Sequence, residues 1–240
     1  MDTFIVYDLE TTGIHPERDE IIEIGALKVC QGNVVDTFSC LIHPHITLPD
    51  EIIALTGITQ EMVETGLEKE EAIRKFIEFA SEDTVLGHNI SFDYKFMKVA
   101  ADRLSLPFEK KTLDTLKIAR KHLKELPDKK LGTVCQHYGY WNEHAHRALD
   151  DAKATYHIYQ KMKEAFFESN PESFEGEEGA VKVKKVEPMT AKQKNYLMDL
   201  MQFHGIKIET SLDKLSKREA SKLIDSIILQ YGKITRTSYR

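Results

Sequence analysis

The sequence predicts an α/β fold, on three observations. The chain opens on an apolar run, Phe4-Ile5-Val6-Tyr7, that ends in the acidic pair Asp8 and Glu10 before a Thr-Thr-Gly turn. Two further β-rich runs follow at once, split by Gln31-Gly32-Asn33. Beyond residue 50, amphipathic stretches of helical period alternate with a short apolar run at residues 84–89. Together these describe a mixed sheet with a leading antiparallel meander and helices packed on it.

Each element has its own local reason. Residues 3–9 are a strand, and residues 21–44 a hairpin around the Gln-Gly-Asn turn. In "PDEIIALTGIT" a short helix starts after Pro49 and stops at a Gly57 turn. Residues 68–80 place Ile73, Phe76, Ile77 and Ala80 on one stripe, the mark of a helix lying on a core. "TVLGHN" is a buried strand and "SFDYKFMKVAADRL" a helix. Asp114 caps "TLKIARKHL". Residues 131–138 form a short helix and residues 147–167 a long one.

The segment at residues 168–188 has no apolar period, contains Pro171, Gly176, Gly179 and Pro188, and turns from acidic to basic midway. It reads as a flexible linker between a domain at residues 1–167 and a helical module at residues 189–240. In that module Thr190 and Ser216 are expected caps, with Glu219 completing a capping box, and Gly205 and Gly232 are expected stops. Two helices in a hairpin result, or three if residues 212–215 add a turn. So short a piece makes a small core and is expected to lean on the main domain or on a partner.

Composition sets the class. Charged residues make up 30% and hydrophobic ones 41% of 240, an ordinary balance for a soluble protein. The three cysteines include no CxxC pair, so reduced thiols and a cytoplasmic location are expected. No basic leader precedes the first apolar run, and no stretch approaches the roughly 20 apolar residues of a membrane span. The net charge of −6 conceals an asymmetry. Residues 180–240 carry 13 Lys and Arg against 6 Asp and Glu, whereas residues 1–179 carry 20 against 33. The plainer reading is two solvated faces of different sign. The sharper one is a cation-binding acidic domain followed by a basic module that approaches a polyanion.

The acidic pair sets the functional question. Residues i and i+2 of a strand share a face, so Asp8 and Glu10 stand side by side at the end of an apolar strand, where like charges repel. Asp93 falls in the first turn of the helix after the 84–89 strand, and Asp150 and Asp151 at the start of the last long helix. Singly each has a plain explanation, as a solvated loop acid or a helix cap. Together, carboxylates converging from separate elements make an oxygen-rich cage for hard cations. Two divalent ions roughly 3.5–4 Å apart can bind the attacking water and the leaving oxygen of a phosphodiester.

"DLETTG", "LTGIT", "GHNISFDYKFM" and "HRALDDA", in this order, resemble the exonuclease motifs of the DEDD superfamily. The histidine-containing DEDDh (DnaQ-like) branch is the most similar, including the proofreading epsilon subunit of DNA polymerase III and the exonuclease domain of PolC-type polymerases. The resemblance covers residues 3–167. It implies a ribonuclease-H-like fold with a five-stranded mixed sheet, two Mg²⁺ or Mn²⁺ ions, and 3′→5′ release of nucleoside monophosphates. Carried over, it makes Asp8 the carboxylate that touches both ions. Glu10, Asp93 and Asp151 become the other ligands and His146 the general base. The branch places its histidine five positions before its aspartate, which fits His146 and Asp151 but not His144 or Asp150. Positions five apart on a helix point some 140° away from each other, so His146 is expected in the loop before the helix. Thr11 and Thr12 resemble the segment that contacts the 3′-terminal nucleotide, and Ile58 matches a position that packs against terminal bases; Phe92 either lines this pocket or belongs to the core, two readings of equal weight.

The resemblance favours DNA, acted on in proofreading or repair, with a polymerase or another replication or repair protein as a possible partner. An exoribonuclease of ribonuclease T or oligoribonuclease type is the alternative, and a binding module with a dead site is the third reading. A protein separates RNA from DNA through the 2′-OH, and no residue in the sequence announces a partner for it.

Overall fold

The alternation of the first strand decides how the domain is layered. In the computed structural model β1 spans Thr3–Thr11. Its odd residues Ile5, Tyr7 and Leu9 enter one apolar cluster, and its even residues Phe4 and Val6 enter another. A strand buried on both faces needs helices on both faces. The structure describes residues 3–143, 145–179, 187–206, 212 and 215–234.

β2 (Ile21–Cys30) pairs antiparallel with β1, and β3 (Asn33–Leu41) pairs antiparallel with β2. Gln31 and Gly32 join them with φ of 50° and 79°, the left-handed pair that a tight hairpin turn requires. α1 (Asp50–Thr56) ends at Gly57, φ 68°, and α2 (Gln60–Glu64) follows, capped by the Thr59 side chain. α3 (Lys69–Ala80) leads to β4 (Thr84–Gly87), which lies parallel to β1. α4 (Ser91–Arg103) leads to β5 (Lys111–Asp114), parallel to β4. α5 (Thr115–His122), α6 (Leu131–His137) and α7 (Ala148–Phe166) complete the main body. α3 and α4 cover the Ile5 face, and α5, α6 and α7 cover the Phe4 face.

The sheet has six strands in the order β3-β2-β1-β4-β5-β6, against the five expected. The sixth, β6 (Glu177–Glu178), lies in the segment read as a flexible linker. Residues 168–179 are folded onto the domain. A 3-10 turn at Pro171–Phe174 buries Phe174 beside Tyr159 and Phe167. The acidic residues that suggested a solvated linker meet basic partners on α5: Lys121 pairs with Glu172 at 2.7 Å and Lys117 with Glu177 at 2.6 Å. Such exposed pairs, screened by solvent, contribute little. Burying Phe174 contributes about 1.5–3 kcal/mol and is the stronger tie.

The chain divides into two compact units, residues 1–183 and 184–240. In the second, α8 (Ala191–His204) and α9 (Lys217–Tyr231) each begin in a full capping box, Thr190 with Gln193 and Ser216 with Glu219. Leu197, Leu200, Ala220 and Ile227 form its core. Among the described residues no helix is long and apolar enough to cross a membrane.

Candidate active site

The chain leaves β1 toward β2 on one side, and the parallel strand β4 lies on the other. Parallel strands on which the order reverses leave a crevice beyond their carboxyl ends. Asp8 and Glu10 lie at that end of β1. They continue the even face of the strand, toward α7.

α7 reaches them because of a glycine. Gly25 of β2 pairs with Asp8, and a Cβ there would stand 2.0 Å from the backbone nitrogen of Leu149. The first turn of α7 therefore rests directly on the sheet, and Asp151 in that turn comes beside β1. Asp151 accepts hydrogen bonds from the His146 N–H (3.0 Å) and from Asn142 Nδ2 (2.6 Å). Asp150 faces outward and pairs with Lys153 at 2.8 Å. Asp93 arrives from the opposite face. It sits in the first turn of α4, immediately after β4, and its Oδ1 accepts from the Leu9 N–H at 3.1 Å. Leu9 lies between Asp8 and Glu10, so one backbone hydrogen bond locks the third carboxylate to the first two.

His146 lies in the turn before α7 with φ 66°. The left-handed backbone bends the chain so that His146 N–H meets its own helix's Asp151, and the ring stays exposed. Glu10, His146 and Asp151 offer ligand atoms within 4.8 Å of one another, a group that could hold a metal ion. His144 lies outside the described residues.

The electrostatics of the site follow from burial without compensation. Burial, then the charges of Asp93, Asp151, Glu10 and Glu23, hold the Asp8 carboxyl well above the usual carboxylate range. Burial and the Asp151, Glu23 and Asp93 carboxylates push Glu10 up to about 8, with Arg147 opposing. Burial pushes Asp93 up to about 8 against the backbone hydrogen bonds it accepts, and Asp151 up to about 6 against its His146 and Asn142 partners. Carboxylates packed this way favour the proton-bearing form until another cation takes the proton's place.

Two site residues escaped the sequence reading. Glu23 of β2 is directly opposite Glu10 and only 2% exposed. Arg147 grips it through Nε and Nη2, at 2.8–3.2 Å, and the Ala148 N–H donates to it at 2.9 Å. Arg147 follows His146 directly, so this clasp also fixes the turn that carries the imidazole.

The substrate-side expectations divide. Thr11 donates through its hydroxyl to the Gly13 carbonyl (2.6 Å), and the Thr12 hydroxyl accepts from the Glu20 N–H (2.8 Å); both shape the turn after Glu10. Phe92 is half-buried and packs on Phe96, ring centroids 4.9 Å apart. Ile58 is a correction. It is completely buried with Ile22, Leu48 and Val63, and a side chain with no exposed surface cannot contact a base. The turn at Gly57 drives this apolar residue inward under β2, while Leu55 of α1 is 53% exposed.

Known proteins are similar to this chain. The family described as "Exonuclease" (RNase_T) matches residues 5–159. The DNA polymerase III PolC-type of Caldanaerobacter subterraneus is 42% identical over 161 residues, and that of Clostridium perfringens 40% over 167. The chain spans 12% of the length of each of these relatives. Among solved structures, the nuclease domain of 3′hExo, a DEDDh family member bound to rAMP, superposes with a TM-score of 0.60. It is 26% identical, over 69% of this chain and 93% of that one. The E. coli ExoI–ssDNA complex superposes at 0.65 with 21% identity, over 72% and 42% of the two chains, a likeness of fold.

Proposed function

Because this chain belongs to the RNase_T exonuclease family, we propose that its main domain is a two-metal 3′→5′ exonuclease. In this reading it trims single-stranded or frayed DNA ends to nucleoside monophosphates in proofreading or repair. The observation that carries the reading is the convergence of Asp8, Glu10, Asp93 and Asp151 at one strand end, with carboxyl groups pushed toward the protonated form. The donor set is rich in hard oxygens and fits Mg²⁺ or Mn²⁺ better than a softer ion.

Asp8, Glu10, Asp93 and Asp151 would hold the ions between them. When bound, such ions would supply positive charge to the scissile phosphate and acidify a water. His146 would accept a proton from the attacking water; its exposed ring has room to approach, and its backbone is tethered to Asp151. The Glu23–Arg147 clasp holds the turn while the imidazole moves. Thr11, Thr12 and Phe92 border the 3′-terminal nucleotide. The basic unit at residues 184–240 raises affinity for the strand, and a polymerase or another replication or repair protein is the proposed partner.

DNA is favoured by the identity to PolC-type polymerases. The exoribonuclease alternative draws on the 26%-identical nuclease bound to rAMP. Matched single-stranded DNA and RNA oligonucleotides, 5′-labelled and incubated with Mg²⁺ or Mn²⁺, decide between them. A ladder shortening from the 3′ end of DNA supports the proposal. Faster loss of RNA favours the alternative, and no cleavage of either strand refutes both.

A further inference from the structure

Trp141 is the only tryptophan in the chain, and it is 75% exposed. It lines a cleft of about 900 Å³ whose walls also include His146, Asp151, Arg120, Lys129 and Lys130. Asp128 is the other charged residue on its wall. Among the described residues the Trp141 ring makes no contact with another ring, and neither Arg120 nor Lys130 is held in an ion pair.

The indole is exposed, and the backbone that carries it is fixed on both sides. Tyr140 before it stacks on His157, centroids 4.7 Å apart at 29°, and donates its N–H to the Cys135 carbonyl at 2.9 Å. Asn142 after it holds Asp151 Oδ1 at 2.6 Å. The backbone at Trp141 therefore cannot move inward without releasing a carboxylate of the acidic cluster. The cationic wall is fixed as well: His88 Nε2 bonds the Lys129 carbonyl at 2.8 Å, and the Lys130 N–H donates to Asp128 at 3.0 Å. A large π-face held out to solvent beside unpaired cations suits single-stranded nucleic acid, in which bases stack and phosphates track the positive charge.

We propose that Trp141 is a stacking platform for a base of a single-stranded polynucleotide, upstream of the scissile end, whose phosphates run past Arg120, Lys129 and Lys130. The proposal rests on the exonuclease reading and adds to it a binding site outside the acidic cluster. Through Asn142, a base seated on Trp141 also steadies Asp151.

The single tryptophan makes the test direct. In EDTA, where cleavage is blocked, titrating the full chain with a single-stranded oligonucleotide should quench its intrinsic fluorescence saturably. A blunt duplex should quench far less. By anisotropy of a labelled strand, Trp141→Ala should bind roughly 5- to 150-fold more weakly, the weight of one stacked base. Trp141→Phe should recover much of that loss. A single abasic position, moved along the strand from the 3′ end, should reproduce the loss at one place in the wild type and have no further effect there in Trp141→Ala. Binding without quenching, equal affinity of the Ala variant, or an abasic penalty unchanged in that variant would each overturn the proposal. Should the Ala variant fail to fold, the abasic scan on the wild type and the Phe variant decide alone. Cleavage with a silent Trp141 removes this site and leaves the exonuclease. Quenching without cleavage under any metal leaves the site and removes the exonuclease.

Discussion

Glu10 and Glu23 face each other across the β1–β2 pair, both buried, at 8% and 2% exposure, on the same face of the sheet. Their treatment by the fold is opposite. Glu23 receives a two-pronged guanidinium and a helix-terminal N–H. The Glu10 carboxylate accepts no hydrogen bond among the described residues, and burial with its acidic neighbours pushes it up to about 8. A buried carboxylate that is fully satisfied is a structural element, and one left short of positive charge is a site for an incoming cation. The pair therefore contains its own control, with the same residue type, depth and strand register and different partners.

Neutralising the under-compensated side should have the largest effect. Asp8→Asn and Asp151→Asn should each lower turnover by roughly 10³-fold or more, because in the proposed reading several kcal/mol of transition-state stabilisation would depend on the ions they would hold. Metal-free stability at pH 8 should hold or rise, since repulsion is relieved. A Mg²⁺-supported rate near wild type in either variant would remove that residue from the site. His146→Ala should cost about 10²–10⁴ in turnover, the usual weight of a general base. Stabilisation of the fold by Mn²⁺ should survive, and its loss would recast His146 as chiefly a ligand.

The two glutamates themselves separate in denaturant. In metal-free protein at pH 8, Glu23→Gln should lose about 2–4 kcal/mol, because it leaves Arg147 and the Ala148 N–H with a weaker partner in a buried place. Glu10→Gln should stay within about 0.5 kcal/mol of wild type or exceed it. Equal losses would abolish the distinction between them. A smaller, pH-dependent difference should accompany this one. Glu10, Asp93 and Asp151 have folded values of about 8, 8 and 6, above the roughly 4 of unfolded carboxylates. The folded state then binds more protons than the unfolded state between these limits. Their stabilising contribution is complete below about pH 4 and is lost as pH rises through 6 to 8. Glu10→Gln should flatten that decline by up to about 1.4 kcal/mol per pH unit, as read from urea midpoints at successive pH values.

Much of this was legible locally. The apolar strand ending in Asp8 and Glu10, the hairpin turn, the Asp114 cap and the placement of His146 before its helix follow from period, turn chemistry and spacing. Asp114 accepts from Leu116 N–H, as a cap should, and also from the Asn89 N–H. What escaped was long-range or too short to have a period. Glu23 looks like a polar interruption in "IIEIGALKV", and its partner Arg147 is 124 residues away. α2 has five residues and β5 four, too few for periodicity. The acidic tail after α7 has the composition of a linker, and only the tertiary position of Lys117, Lys121 and the Phe174 pocket folds it down. Ile58 was assigned by motif, whereas its burial is decided by β2.

The central claim is that the carboxylates at the end of β1 exchange protons for divalent cations. Isothermal titration of the metal-free protein with Mn²⁺ at pH 7.5, repeated in two buffers of different ionisation enthalpy, counts those protons. The account predicts saturable binding that releases on the order of one proton or more, reduced in Glu10→Gln and preserved in Glu23→Gln. Saturable binding with no proton release, or release unaffected by Glu10→Gln, would contradict it.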